Sequence, residues 1–485
     1  MTMVQTIEKH QLYINGEWVD PVSGEYYEVI SPVTGKVVAK AAYGNGSDAK
    51  RAIEASYAAF SEWSAMTARD RAVILMKIYQ LMQDRLEELA QKISAEMGKP
   101  IREARMEARQ AAEYVLWNAE EAKRAYGETI PTSIKNKRLK TIRQPIGPVA
   151  AISTWNFPLA MVTRKVAPAL AAGCTVVLKS ASQTPGSAVQ FLKIAEQAGL
   201  PKGVINLVSG SASKIGDALL TDKRIRKVTF TGSTEVGKQL LRKAADQVKR
   251  VSMELGGHAP LIVFEDADLE KAVTGVIANK FRNTGQTCIC ANRVYVQESI
   301  KEKFLALFKE KVEAIKIGNG LEEHVELGPV VNEGSLQKIK EHVEDAVHKG
   351  ATLVTGGKKC VVKGFECGYF YEPTILADVK ESMLISYEET FGPVAPVFSF
   401  QTEEEVIQKA NDTDYGLASY FFTQDLSRAT RVSEALEYGM VGINDDALAA
   451  VQGPFGGVKE SGIGREGGPD SLADFLETKF ISTVI

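Results

Sequence analysis

Five short apolar runs, PVAAIST, CTVVLKS, GVINLVSG, RKVTFTGS and KRVSMELGG, follow one another between about residues 147 and 257, separated by segments of helical pattern. Runs this apolar have no polar face to turn to water, so they read as parallel strands covered on both sides. The intervening segments begin near Pro158, Thr184, Ser211 and Ser233, residue types that open helices. Such alternation builds an α/β unit of Rossmann-like type, whose ligands lie beyond the carboxyl ends of its strands.

A second α/β series follows, with APLIVF, ANRVYVQ, APVFSF, LASYFF and GMVGIN as its strands. Ahead of the first series the pattern is helical. Ser47 is the expected N-cap of a helix carrying Ala49, Ile53, Tyr57 and Phe60 on one face. A second run from about Arg69 aligns Leu75, Ile78, Met82, Leu86, Leu89 and Ile93 and is punctuated by Gly98 and Pro100. ETIPTSIKNKRLKTIRQPIG reads as a polar hairpin, and FLETKFISTVI ends in a strand-like run. Exposed strands of this kind usually need a partner edge, so a homodimer or homotetramer is expected.

The chain has 485 residues, more than one core usually serves. With 45% hydrophobic and 25% charged residues and a net charge of −3, it has the balance of a soluble globular protein and no basic field for nucleic acid or an anionic membrane. The amino terminus carries no apolar targeting core, no segment reaches the length of a membrane span, and the five cysteines form no disulfide framework, so a cytoplasmic protein is expected. The histidines lie far from the C-x-C pair, and neither C-x-x-C nor H-E-x-x-H occurs, so no metal site is expected.

Three stretches carry candidate chemistry. In NTGQTCICANR, Cys288 follows Gly285, Gln286 and Thr287, which suit a turn of donating backbone amides. A free cysteine with a pKa of ~8.5 needs such a surrounding to act as a nucleophile, and a small buried thiol is the alternative. In MELGGHAP, Glu254 closes an apolar strand, where a carboxylate faces the ligand crevice and can serve as a general base, or is simply ion-paired. In STWNFPLAMVTRK, Asn156 follows the first strand of the series, so its amide can donate into the same crevice or cap the next helix.

WNFP, FTGSTEVG, MELGG, NTGQTC, EETFGP and PFGGVKESGIGRE, in this order and spread over essentially the whole chain, resemble the aldehyde dehydrogenase superfamily. CICANR and TRKVAPALAAGCTVVLK look most like its succinate-semialdehyde dehydrogenase branch. The resemblance implies three regions: a cofactor domain from residues 1–122 and 146–255, a catalytic domain over 256–462, and an oligomerisation hairpin and tail at 123–145 and 463–485. It implies that Cys288 attacks an aldehyde carbonyl, that the Asn156 amide and the Cys288 N–H hold the oxyanion, and that Glu254 activates the water that releases the acid.

The same resemblance assigns NAD or NADP to Trp155, Lys179, Ser182, Gly232, Ser233, Gly237, Leu255, Glu389 and Phe391. Many NAD-preferring relatives carry a glutamate three residues after the lysine; KSAS places Ser182 there, which removes a repulsion toward a 2′-phosphate. Arg164 and Arg282 match the arginines that hold a distal carboxylate in the semialdehyde branch, with structural ion pairing as the alternative, and Phe455 matches a substrate-pocket wall. The branch usually adds a serine shortly before PFGG, where this chain has Ala449. Succinate semialdehyde is therefore joined by glutarate or 2-oxoglutarate semialdehyde, or a small hydroxyaldehyde, as the expected substrate. Cys290 is either structural or a partner for a reversible disulfide with Cys288. A cysteine esterase with no redox step is the rival chemistry.

Overall fold

In the computed structural model, which describes residues 7–485, the five expected strands form one parallel array in the order Arg250–Glu254, Lys227–Thr231, Val149–Ile152, Val176–Lys179, Ile205–Val208. Period-two geometry sorts their side chains onto two faces. Val149, Ala151, Val176 and Leu178 pack with helices Ala68–Asp84, Ile101–Glu121 and Ala160–Ala172, whereas Ala150, Ile152, Val177 and Val228 pack with helices Gly46–Ala65 and Ala212–Thr221. Ile152 lies opposite Lys179 and Thr231 opposite Glu254, so the loops after these strands open along one edge. The antiparallel strand Gly462–Ile463 extends the sheet beside Met253 and Glu254, bringing the far end of the chain back to the first unit.

A seven-stranded sheet contains the second series, in the order Thr352–Thr355, Thr374–Ala377, Val394–Phe400, Ala291–Gln297, Ala259–Val263, Ala418–Phe422, Met440–Ile443. Its first two strands, and the strands formed by residues 8–42, lie outside the sequence expectations. Lys137–Pro145 pairs antiparallel with Leu476–Val484 from Pro145↔Leu476 to Lys137↔Val484, so hairpin and tail form a sheet of their own.

Local details correct the sequence reading. Asn45, not Ser47, caps the first helix: its side chain accepts from Ser47 N while Asp48 returns a bond to Asn45 N. The parallel bridge between Gly44 and Gly210 holds the chain extended up to that point. The buried stripe of this helix is Ala49, Ala52, Ile53, Ser56 and Trp63, and Tyr57 is exposed. The run from Arg69 breaks at Arg85 into helices Ala68–Asp84 and Leu86–Met97. Gly98 closes the latter in the left-handed region, with φ 77°.

Candidate active site

Loops from the ends of three strands of the first sheet supply Trp155 and Asn156, Gly232 and Ser233, and Leu255 to one wall of a cavity of about 210 Å³. Cys288, Glu389 and Phe391 of the second unit close it. Register in each sheet thus brings together residues more than a hundred positions apart.

Cys288 ends a loop held in an unusual conformation: Asn283, Thr284 and Gly285 all lie at positive φ, at 51°, 58° and 72°. Two of these are not glycine, and each costs of order 1–3 kcal/mol unless neighbours impose it. Here they do. Thr284 Oγ1 donates to Gly328 O, Gln286 Oε1 accepts from Val331 N at 2.8 Å, and Tyr420 donates its hydroxyl to Ile289 O at 2.8 Å. Gly285 abuts the Gly392 carbonyl, leaving no room for a Cβ. Burial pushes the Cys288 thiol up to about 12, against the pull of the Arg164 charge. Its conversion to the thiolate therefore needs a proton acceptor and gains from any cation brought into the cavity.

Asn156 does not cap the helix after it. That helix begins at Ala160, and the amides of Leu159 and Ala160 donate instead to Glu107 Oε1 at 2.9 and 3.2 Å. The Asn156 side chain donates to Gln286 O at 3.0 Å, which fixes its NH₂ toward the cysteine loop. Its main-chain oxygen accepts from Lys99 Nζ at 2.8 Å and from Asn283 Nδ2 at 3.0 Å.

Glu254 is buried, with Oε2 lacking a hydrogen-bond partner. Burial first, and then the negative charge of Glu466, pushes its carboxyl well above the usual range. Glu466 lies 2.6 Å from Arg164 Nε and 2.5 Å from Lys165 Nζ, and Thr229 Oγ1 donates to it. These two cations outweigh its burial and hold it below the usual range. Arg164 also lies 4.2 Å above the ring of buried Phe455, so it is both ion-paired and close to Cys288 in charge terms.

The residues assigned to a dinucleotide fit one. Ser233 caps the helix Thr234–Ala245 through Val236 N, Gly232 N–H is tied to Glu254 O at 3.0 Å, and a Cβ on Gly237 would strike Leu255. Thr231, Gly232 and Ser233 at this helix end line the cavity, and Thr231 Oγ1 is buried without a hydrogen-bond partner among the described residues. Lys179 is buried with Ser180 O as its hydrogen-bond acceptor, and burial alone pulls its pKa down to about 8. No carboxylate pairs with it among the described residues, and half-buried Ser182 stands beside the Tyr27 hydroxyl. Glu389 accepts from Gly257 N at 3.2 Å and is pushed by burial to about 7. Phe391, at φ 55°, meets Trp155 edge-on with ring centroids 5.7 Å apart.

Arg282 opens onto a second cavity, of about 320 Å³, shared with Arg102, Glu103, Met106 and Asp446, and stacks 5.4 Å from the Phe157 ring. Ala449 offers its main-chain oxygen to Gln110. Cys290 is buried with Sγ 3.3 Å from Lys280 Nζ and lines neither cavity. Among the described residues no cluster of three His, Cys, Asp or Glu is placed to hold a metal, and no helix is long and apolar enough to cross a membrane. Lys99, Glu103, Glu107, Lys165 and Glu466 escaped the sequence reading. The last two lie inside the quoted VTRK and GIGRE stretches, but nothing local marks them as partners.

The profile described as "Aldehyde dehydrogenase family" matches residues 18–481. Glutarate-semialdehyde dehydrogenase of Pseudomonas putida is 50% identical over 98% of this chain and 97% of its own. Succinate-semialdehyde dehydrogenase [NADP(+)] of Escherichia coli is 49% identical over 98% and 97%. A solved Escherichia coli NADP-dependent enzyme superposes with a TM-score of 0.97 at 48% identity, covering 99% of this chain and 98% of that one. By sequence over nearly its whole length, and by fold, the chain belongs to the aldehyde dehydrogenase family.

Proposed function

We propose that this protein oxidises a short aliphatic aldehyde with a distal carboxylate, a semialdehyde of the succinate or glutarate type, to the dicarboxylate, using NADP or NAD. The observation that carries the reading is the meeting of Cys288, Asn156 and the Ser233 helix end on one cavity. The two relatives share a substrate type: an aldehyde with a carboxylate at its other end.

The Cys288 sulfur adds to the aldehyde carbon, and its proton leaves to the Glu254 carboxylate or to water. The carbonyl oxygen becomes an oxyanion, which takes the free N–H of the Asn156 amide and the backbone N–H of Cys288. A nicotinamide held beside this carbon by Trp155, Ser233, Glu389 and Phe391 would supply the hydride acceptor. A thioester remains on Cys288; Glu254 takes a proton from water, the water oxygen bonds to the acyl carbon, and the carbon–sulfur bond breaks. Aldehyde, oxidised cofactor and water thus give carboxylate, reduced cofactor and two protons.

Arg282, and Arg164 insofar as Glu466 leaves it charge to spare, attract the distal carboxylate. Ser182 beside Lys179 leaves room for a 2′-phosphate. The five free cysteines suit a reducing cytoplasm, and the outer edge of Leu476–Val484, with Phe480 58% and Val484 66% exposed, suits pairing between copies in a homodimer or homotetramer.

The test is a panel of aldehydes with and without a distal carboxylate, assayed with each cofactor and repeated on Arg282→Ala. KM for succinate and glutarate semialdehyde should rise by about tenfold or more while that for propanal stays put, as for loss of an anion contact. Acid formed without reduced cofactor would mean an esterase instead.

A further inference from the structure

Three ionisable side chains flank the start of helix Ile101–Glu121: Lys99 just ahead of it, then Glu103 and Glu107 one turn apart within it. Lys99 Nζ is fully buried and lies 2.5 Å from Glu107 Oε2, 2.8 Å from the Asn156 main-chain oxygen and 3.8 Å above the Phe157 ring. The other oxygen of Glu107 holds the amides of Leu159 and Ala160. Glu103 Oε2 accepts from Asn283 N at 2.7 Å, at the first left-handed residue of the cysteine loop. Asn283 Nδ2 then bridges the main-chain oxygens of Asn156 and Gln286, at 3.0 and 3.1 Å. One helix start thus grips both segments that carry the donors assigned to the oxyanion.

We propose that Lys99, Glu103 and Glu107 are positioning residues that hold the Asn156 amide and the Cys288 backbone N–H at a common point, so that both donors meet the same oxyanion. The proposal rests on the reading of the reaction given above. A merely structural ion pair would also bury Lys99 against Glu107, but it would not need Lys99 to spend a hydrogen bond on the Asn156 carbonyl. None of the three touches the reacting atoms; they act through Asn156 and Asn283. Donors for a developing oxyanion act through fixed geometry, and small displacements weaken them.

The test is a double-mutant cycle on the full-length enzyme with succinate semialdehyde and NADP, using Lys99→Met, Asn156→Ala and the pair, with Lys99→Arg as the conservative variant. NADPH binding by fluorescence and the melting temperature are followed alongside. Lys99→Met should lower kcat about tenfold or more, with NADPH affinity changed less than about twofold, and should cost less than about twofold in the Asn156→Ala background. Lys99→Arg should recover part of the loss. Multiplicative losses, or a kcat loss matched by weaker NADPH binding, would overturn the proposal. Should Lys99→Met fail to fold, Glu107→Gln, which keeps an acceptor for the Leu159 amide, takes its place in the cycle, and parental kcat in that variant sinks the idea. Parental kcat in Asn156→Ala would bring down the reading of the reaction along with the clamp; a slow Asn156→Ala beside a normal Lys99→Met would bring down the clamp alone.

Discussion

The side-chain amide of Asn156 donates to the main-chain oxygen of Gln286 at 3.0 Å, two residues before Cys288. An amide nitrogen carries two hydrogens, so one registers Asn156 against the cysteine loop and the other is free for the cavity. Asn156→Ala should lower kcat by about 10²–10³-fold, the usual cost of one lost oxyanion donor, with little change in cofactor affinity. Steady-state rates and NADPH titration check it.

Burial, and then the negative charge of Glu466, pushes the Glu254 carboxyl well above the usual carboxylate range. A carboxyl with a raised pKa accepts a proton only above that pKa, so turnover should fall as the pH drops through it. Glu466→Gln removes the neighbouring negative charge and releases Arg164 and Lys165 from it; both changes favour the Glu254 carboxylate. The acid limb of the kcat profile should move to lower pH in this variant. In Glu254→Gln a first burst of reduced cofactor should survive while turnover collapses, which rapid-mixing absorbance can follow.

Ser182→Glu places a carboxylate three residues after Lys179, where a 2′-phosphate would meet it. KM for NADP should rise by about tenfold or more and KM for NAD change by much less, since like charges repel only the phosphorylated cofactor. Equal effects on both would remove Ser182 from the account of cofactor choice.

A disulfide between Cys288 and Cys290 requires the Cys290 sulfur to leave Lys280 Nζ, from which it lies 3.3 Å. If that bond protects the nucleophile, thiol treatment should restore the peroxide-treated parent enzyme but not Cys290→Ala, in which Cys288 has no neighbour to pair with and oxidises further. Activity recovered after dithiothreitol is the measurement.

The places of Cys288, Asn156 and Glu254 in the fold were legible because each sits at a strand end or a turn motif: Glu254 closes an apolar run and Asn156 stands two residues before a proline. The strands of both series were legible for the same reason, since apolar runs have one way to be buried. What supports the site was not. Lys99 reaches Asn156 across 57 residues and Lys165 reaches Glu466 across 301, and a charged residue looks the same in the sequence whether it faces water or a buried partner. Asn45 and Ser47 show how close the choice is at short range: both are good caps, and Asn45 takes the place because Asp48, at the third helical position, accepts from its amide.

The pairing of Gly462–Ile463 with Met253 and Glu254 sets an order of events during synthesis. A ribosome that has finished the first parallel array has not yet made the strand that flanks Glu254, nor Glu466, whose charge acts on its carboxyl. The nascent chain can pair the five strands of that array early, but the surroundings of Glu254 are completed only as almost its last residues emerge. Fragments released before that point would carry the parallel array with its edge beside Glu254 uncovered.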